Sequence, residues 1–493
     1  MVFKRCTSLV SAAVTVMALQ MQHASASSLQ YDPYTSCTSY DISDENFPGR
    51  GTEITDDGKC TVTVPEDPKL IMATTISTTA ATHMELLSNE SASPVVPVFT
   101  KVGTEIMSEP MNTNPDAYIV DQTSTPGIPP STTNVFSRRL EESTTRYDID
   151  NLEEFFGTKM ELKLKKLPTS GVYNPTPWAG SNWPAYLDSI NYEWNTGEPS
   201  PAEKYAQAFR LDVKDFMNNE CFDPVIDTVC AKRTGQTSGY CIPTWFGLCH
   251  AWAPAAILEK EPNCPVTYNG VTFNPMDIKA LLTDVYSDSN MSTLITGVRY
   301  NGAEDEINDY GSHTEYSYRD LNPGYFHIAA ANILGTLNST FIIDRDAGYE
   351  VWNQPVIGFK VYEQTNMTTE ETAQTFFGLE SYPWNDNATS IVYVKSRLSW
   401  ANETFTDGGL VASGLNQNFT VGAFYDYLLE LDEEENIIGG EWLYDSNNNH
   451  PDFLWLPMNK PTEDVVTSIG LRYSDVAMLL AKAVACFDLE KKT

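Results

Sequence analysis

The sequence predicts an α+β fold in which helices precede an antiparallel sheet. Apolar residues recur at helical spacing in the segments 149–164, 201–217 and 274–286. Beyond residue 325 the pattern changes to short apolar segments separated by turns that contain Gly. Hydrophobic residues make up 41% of the 493 residues, which is enough apolar material for a large core. We therefore expect a helical part first and a sheet after it.

Local start and stop signals bound the predicted elements. Pro168 and Gly171 end the first helix. Ser200 and Pro201 supply an N-cap and a first-turn proline for the second helix. The third helix also has a proline near its start, and a last helix covers 474–487. The predicted strands are Tyr325–Leu334, Thr340–Asp344, Val356–Tyr362, Ser390–Trp400 and Phe419–Leu429.

Residues 1–26 have the features of a secretory signal peptide. Lys4 and Arg5 precede the apolar run Cys6–Leu19, and Ala24-Ser25-Ala26 is a small-residue cleavage site. The apolar run is too short for a membrane span, and no later run is long and apolar enough. We expect a secreted, extracellular protein. The predicted glycosylation sites, all Asn-x-Ser/Thr sequons, are Asn89, Asn290, Asn338, Asn366, Asn387, Asn402 and Asn418.

The region 27–145 differs from the rest in composition. It is rich in Thr, Ser and Pro and has weak hydrophobic periodicity, which predicts a pro-region or a disordered stalk. The pair Arg138-Arg139 near its end is either a protease processing site or a solvated charge cluster. Residues 146–493 are expected to form the catalytic domain. The formal net charge of −35 argues against nucleic acid and anionic membranes as partners.

The octet 245–252 is the densest candidate for chemistry. Cys249 precedes an alanine-rich, helix-compatible run, which predicts a thiol at a helix N-terminus. Free N–H groups and the helix dipole lower a thiol pKa there and can hold an oxyanion. Trp245 and Trp252 are expected to line the cleft. The alternative is a structural cysteine, because eight cysteines follow the signal peptide and pairs such as Cys37–Cys60 or Cys221–Cys230 are not fixed by sequence.

A catalytic thiol needs a base, and His327 is the best placed histidine. It follows Asn322-Pro323-Gly324 and is predicted to open a rigid strand; the alternative is a structural histidine. Asp344 ends the next apolar run and is expected to orient the imidazole. Asp346 lies on the same strand face and is the alternative. Either aspartate is otherwise a solvated strand end.

Three further segments are candidates for framing the cleft or for binding calcium. The motif 439–457, rich in Gly and Trp, is interpreted as structural, with a role in framing the cleft as the alternative. The acidic clusters 304–309 and 432–435 are oxygen-rich, as calcium sites are, but neither follows the EF-hand pattern.

Residues 351–363, Val-Trp-Asn-Gln-Pro-Val-Ile-Gly-Phe-Lys-Val-Tyr-Glu, closely resemble the surface peptide of the oomycete cell-wall transglutaminase elicitors, which plants recognise. Trp352 and Pro355 belong to this peptide, and Ile357 stands where family members usually carry a basic residue. The Cys249 octet, the segment 322–327 and the motif 439–457 are also similar to that family. The resemblance covers about residues 145 to 490.

The resemblance implies a calcium-dependent protein-glutamine γ-glutamyltransferase whose fold is related to papain-like cysteine proteases. Cys249 would lie in the helical part, and His327 and Asp344 on the sheet. The implied partners are cell-wall proteins that offer Gln and Lys side chains, and a plant immune receptor for the peptide 351–363. The alternatives are a secreted papain-like cysteine peptidase and a non-catalytic cell-wall protein that displays the peptide.

Overall fold

The computed structural model describes residues 146–213, 216, 228–231, 240–243, 245–289, 291–300, 305–307, 313–314, 318, 321–348 and 350–490. Several predictions from the sequence lie outside these residues and stay predictions. They are the signal peptide 1–26, the region 27–145, the sequons Asn89 and Asn290, and any pairing of Cys37, Cys60 or Cys221.

Two of the helices begin at capping residues that the sequence contains. Ser200 accepts a hydrogen bond from the Glu203 amide, and Asn274 forms a capping box with Asp277. The first helix ends at residue 156, before the end predicted at Pro168 and Gly171, because Gly157 adopts a φ of 64°. The longer α-helices are α1 (146–156), α2 (Pro201–Phe209), α3 (Cys249–Leu258), α4 (Pro275–Asp288), α5 (Pro323–Ala330) and α6 (Tyr473–Glu490). Short α-helices of four residues also cover Thr369–Thr372 and Leu410–Ser413.

The strands form one large antiparallel sheet and two hairpins, so the predicted α+β class is confirmed. The strands are β1 (Ser170–Val172), β2 (Thr228–Ala231), β3 (Tyr240–Pro243), β4 (Val266–Tyr268), β5 (Val271–Phe273), β6 (Thr293–Thr296), β7 (Ile342–Asp344), β8 (Asn353–Met367), β9 (Ser390–Ala401), β10 (Thr420–Leu431), β11 (Ile437–Trp442) and β12 (Phe453–Pro457). Among the described residues, the sheet order is β11–β10–β9–β8–β7–β12–β6, and β1 pairs with β8. The hairpins are β2–β3 and β4–β5.

The two faces of the large sheet pack against different helices. Ile342, Phe453 and Trp455 point to one face, where they contact Ala253 of α3. We call this the cysteine face, because α3 begins at Cys249. Ile343 and Leu454, which alternate with those residues along β7 and β12, pack with α5 on the other face. We call that side the histidine face, because α5 carries His327.

The predicted strand Tyr325–Leu334 is wrong: these residues form α5 and the π-helical segment Ala331–Thr336. Asn322 caps the helix by accepting a hydrogen bond from the Gly324 amide, and Pro323 occupies its first position. A buried apolar run has no periodicity that separates strand from helix, whereas the Asn-Pro start favours a helix. His327 is therefore carried by a helix, and β7 pairs with β8 and β12 instead.

The segment 351–363 is not a surface peptide in the folded chain. Most of it belongs to β8, which pairs with β7, β9 and β1. Trp352 is 2% exposed and Pro355 is buried, whereas exposure begins near Glu363. The expectation of surface display is therefore corrected: the sheet covers the first nine residues of this segment.

The sequons differ in accessibility. Asn338, Asn366 and Asn387 are exposed, and Asn418 is half-buried. Asn402 is only 3% exposed, so the prediction that it is a surface glycosylation site is wrong for the folded chain.

A disulfide links α6 to the segment just before β4. Cys264 is bonded to Cys486 of α6, with their Cα atoms 6.4 Å apart. In the β2–β3 hairpin, Cys230 lies opposite Cys241 in the backbone register. None of the helices in the described residues is both long and apolar enough to cross a membrane.

Candidate functional site

Cys249 is the first residue of α3 and faces the sheet. It is 5% exposed, and it is the free thiol among the cysteines whose side chains are described. Its Sγ lies 3.6 Å from the Val351 carbonyl oxygen, to which the thiol donates. The Asn353 side chain donates from Nδ2 to Sγ, also over 3.6 Å. Both contacts come from the start of β8, more than 100 residues away along the chain.

Gly247 determines how the chain enters α3. A Cβ at this position would lie 2.6 Å from the Asn182 carbonyl oxygen, closer than real Cβ atoms approach. The Leu248 amide also donates to this oxygen. Gly247 therefore lets the segment around Asn182 pack against the start of the helix that carries the thiol.

Burial raises the pKa of the Cys249 thiol to about 11. Hydrogen bonds from the backbone and side chain of Asn353 act in the opposite direction, and the Glu403 and Asp344 carboxyls raise it further. The prediction of a lowered thiol pKa at this helix N-terminus is therefore wrong for the closed site. Removal of water from the thiolate outweighs the hydrogen bonds that favour it.

Asp344 ends β7 on the cysteine face, two residues after Ile342. It is completely buried and lies opposite Asn353 in the β7–β8 register. Its Oδ1 accepts from the Trp352 amide at 2.8 Å, whereas its Oδ2 is buried without a hydrogen-bond partner. Burial raises its pKa well above the usual range, and Arg299 acts in the opposite direction.

Asp346 occupies a different setting from Asp344. It lies beyond the end of β7, is half-buried, and its Oδ1 accepts from the Gly348 amide. Asp344 thus lies on the cysteine face beside Asn353, which contacts the thiol, and it is the more buried of the two aspartates.

His327 is not brought to Cys249. Its Nδ1 lies 2.8 Å from the Tyr427 hydroxyl, and its ring packs edge-on against Phe359. Both partners belong to the cluster on the histidine face. Burial lowers the pKa of His327 to about 3, so the ring is neutral. The predicted contacts of His327 with Cys249 and Asp344 are therefore corrected, because the sheet lies between them.

The two tryptophans predicted to line the cleft differ. Trp245 is half-buried and packs with the cluster on the cysteine face, and the Arg299 guanidinium lies 6.0 Å from its ring centre. Trp252 is completely buried in the helical core, where a Cβ added at Gly180 would meet its indole nitrogen. The role of Trp245 in lining a cleft stays a prediction, whereas Trp252 is a residue of the helical core.

Asn353 and Trp455 belong to this site although the sequence did not predict a role for them there. Trp455 donates from Nε1 to Asn353 Oδ1 at 2.7 Å and so links β12 to the thiol. Asn353 lies in the segment 351–363, which resembles the elicitor peptide, and Trp455 lies in the motif 439–457. The sequence signal that could have identified Asn353 as a site residue is a polar amide side chain inside a family motif. Elsewhere in the motif 439–457, the Trp442 and His450 rings stack with their centres 5.2 Å apart.

The calcium ion that the family resemblance implies stays a prediction, because the acidic side chains of the described residues do not gather into a metal site. Among these residues, no group of three or more His, Cys, Asp or Glu side chains is placed to hold a metal. In the 432–435 cluster, Asp432 already accepts hydrogen bonds from the Glu434 and Asn436 amides of its own turn. Most of the 304–309 cluster lies outside the described residues.

The fold and the site together define an α+β protein in which a buried helix-start thiol faces a carboxamide and a carboxyl on an antiparallel sheet. The chain belongs to the transglutaminase elicitor family, whose model matches residues 148–221 and 218–486. The resemblance seen in the sequence is thereby confirmed.

Among solved structures, the crystal structure of the GP42 transglutaminase from Phytophthora sojae is similar, with 57% sequence identity. The match covers 69% of this chain and 98% of that chain, with a TM-score of 0.62. No match is found among functionally curated proteins.

Proposed function

We propose that the protein is a secreted protein-glutamine γ-glutamyltransferase that forms glutamyl-lysine crosslinks through a thioester on Cys249. The observation that carries the proposal is the free thiol at the start of α3, with Asn353 and Asp344 facing it from the sheet. The 57% identity to a transglutaminase supports this reaction class. The signal-like residues 1–26 support secretion, and the family supports a cell-wall setting.

The proposed reaction proceeds by two acyl transfers. The ionised Asp344 carboxylate accepts the thiol proton while Sγ attacks the carboxamide carbon of a protein glutamine. The C–N bond then breaks, and ammonia leaves with a proton returned to it. A lysine amine attacks the resulting thioester, the C–S bond breaks, and the thiol regains a proton. The product is an isopeptide bond.

The closed setting of the thiol supports an amine acceptor rather than water. Cys249 is almost fully buried. Trp455 belongs to the apolar cluster on the cysteine face, and Trp245 packs against that cluster. Exclusion of water slows hydrolysis of the thioester while a bound lysine reacts. His327 is left out of the proposed machinery because it lies on the histidine face.

The test is incorporation of a fluorescent primary amine into casein by the wild type and by Cys249→Ala. We expect the variant to lose at least about a thousandfold in rate, with its melting temperature unchanged. Cys249→Ser serves as a size-matched control for packing. A calcium arm, with and without EDTA, tests the metal dependence that the resemblance implies.

The other outcomes decide between the alternatives. Cleavage of casein without amine incorporation would identify a cysteine peptidase. Near wild-type rates in Cys249→Ala would reject the assignment of the nucleophile, and an inactive wild type would favour a non-catalytic elicitor.

A further inference from the structure

Asn353 brings to the thiol a polar group that the reaction scheme above does not use. Its Oδ1 faces the Trp455 Nε1 at 2.7 Å, and its Nδ2 faces Cys249 Sγ at 3.6 Å. An indole N–H is a donor and never an acceptor, so the side-chain atom that faces it must be the oxygen. The nitrogen therefore faces the sulfur, and the orientation of the carboxamide is fixed by chemistry.

Burial and strand pairing hold this arrangement in place. Asn353 is 3% exposed, and Trp455 is also buried. Asn353 pairs with Asp344 across β7–β8, and Trp455 pairs with Ile342 across β7–β12. A donor held by three adjacent strands needs little reorganisation when charge develops nearby, which is the property of an effective oxyanion donor.

The electrostatics of the site require such a donor. Burial and the Glu403 and Asp344 carboxyls all oppose an anion at Cys249, whereas the Asn353 hydrogen bonds favour it. The Val351 carbonyl, the other polar contact given for Sγ, is an acceptor and serves the neutral thiol. Asn353 is thus the side chain among the described contacts that favours the charged form.

We propose that the Asn353 carboxamide stabilises the anion that forms at Cys249, first on Sγ and then on the glutamine carbonyl oxygen, and that Trp455 positions it. The inference rests on the proposed function. When Sγ bonds to the carboxamide carbon, the carbonyl π electrons move to oxygen, and Nδ2–H donates to that oxygen. The electrons return as the C–N bond breaks and ammonia leaves. The same donor serves the second transfer, in which the lysine amine displaces Sγ.

Two pairs of variants of the full chain test the proposal. Asn353→Leu removes the donor, and Asn332→Leu is its control, because Asn332 is also 3% exposed but bonds to Glu161 and Ile328 away from the thiol. Trp455→Phe frees the carboxamide. Its control is Trp442→Phe, since the buried Trp442 indole donates to the Leu321 carbonyl and packs on the histidine face.

The readouts are melting temperature, kcat and KM for amine incorporation, and the pH dependence of Cys249 alkylation by iodoacetamide, followed on the Cys249 peptide by mass spectrometry. Asn353→Leu is expected to lower kcat about 100-fold with KM little changed, and to raise the alkylation midpoint by about one pH unit. Trp455→Phe is also expected to lower kcat and to raise the alkylation midpoint, but by less than Asn353→Leu does. Its effect should vanish in the Asn353→Leu background, because it acts through Asn353.

The outcomes separate this inference from the proposed function. A raised alkylation midpoint in Asn353→Leu supports the donor role even if the wild type incorporates no amine, in which case only the proposed function fails. An active wild type with kcat and alkylation alike in Asn353→Leu and Asn332→Leu overturns the inference. Should Asn353→Leu fail to fold, Asn353→Gln and Trp455→Phe take its place, and unchanged alkylation in both overturns it equally.

Discussion

At the residue scale, Asp344 and Asp346 are separated by two positions but differ in burial and therefore in expected effect. Burial raises the pKa of Asp344, so its ionised, proton-accepting fraction grows as pH rises through and above neutrality. We expect Asp344→Asn to lower kcat at least about 100-fold and to remove this rise from the pH–rate profile. Asp346→Asn is the matched control, expected to stay within severalfold of the wild type. The reverse ranking would assign the proton transfer to Asp346.

The stability of Asp344→Asn gives an independent check with a defined sign. Between the ordinary Asp pKa of 3.8 and the raised folded value, the folded chain holds a proton that the unfolded chain has released. The free energy of unfolding of the wild type therefore falls as pH rises through this window. Asp344→Asn should lack this decrease. Its free energy of unfolding, compared with that of the wild type at the same pH, should therefore be more favourable at pH 8 than at pH 4. Chemical denaturation at the two pH values measures it.

His327 lies on the far face from the thiol, so we expect His327→Gln to keep amine incorporation within about tenfold. Its effect should appear in stability instead. Burial lowers the folded pKa to about 3 from the ordinary 6.5, so the unfolded chain binds more protons between these values. The contribution of the neutral His327 to the free energy of unfolding is fully present above pH 6.5 and is lost as pH falls from 6.5 towards 3. A variant that is stable but inactive would restore His327 to the catalytic machinery.

At the scale of elements, α5 approaches β11 so closely that position 324 has no room for a Cβ atom. A Cβ at Gly324 would lie 2.6 Å from the Gly439 carbonyl oxygen, which is backbone and does not yield easily. Helix propensity alone would make Gly324→Ala stabilising by about 1 kcal/mol. Overpacking against β11 should instead destabilise by about 1–3 kcal/mol. Urea denaturation measures the sign, and a stabilised variant would show that the contact is not tight.

The residues of α5 give two conflicting signals about its secondary structure. The apolar run 325–334 suits either a buried strand or a buried helix. The Asn-Pro-Gly start, however, gives a cap, a first-turn proline and a residue small enough for the β11 contact. By contrast, α2 and α4 were predictable because their Ser200 and Asn274 caps act locally.

At the scale of the whole molecule, most of the segment 351–363, which resembles a plant-recognised peptide, is part of the core sheet. Trp352 and Pro355 are buried in the folded chain, so a receptor that grips these side chains meets them only after unfolding or cleavage. We expect the native protein to compete with a labelled 351–363 peptide for plant membranes about 100-fold more weakly, or worse, than the free peptide does.

Two proteases of different specificity give a matched pair of digests for this test. Glu350 and Glu363 bracket the segment, and no acidic residue lies between them, so a glutamate-specific protease releases it whole from the denatured chain. Trypsin cuts after Lys360 and is the control. The first digest should compete like the free peptide. Equal competition by the native, intact protein would contradict the proposed requirement for release.

The sequence by itself determined the α+β class, the thiol at a helix start and Asp344 at a strand end, because caps, prolines and apolar alternation act over a few residues. Only the tertiary structure decided which face of the sheet each side chain meets. Cys249 meets Asn353 from 104 residues away, and His327 meets Tyr427 from 100 residues away. The thiol pKa and the accessibility of Asn402 were decided in the same way, because desolvation depends on what packs against a group and not on its neighbours in sequence.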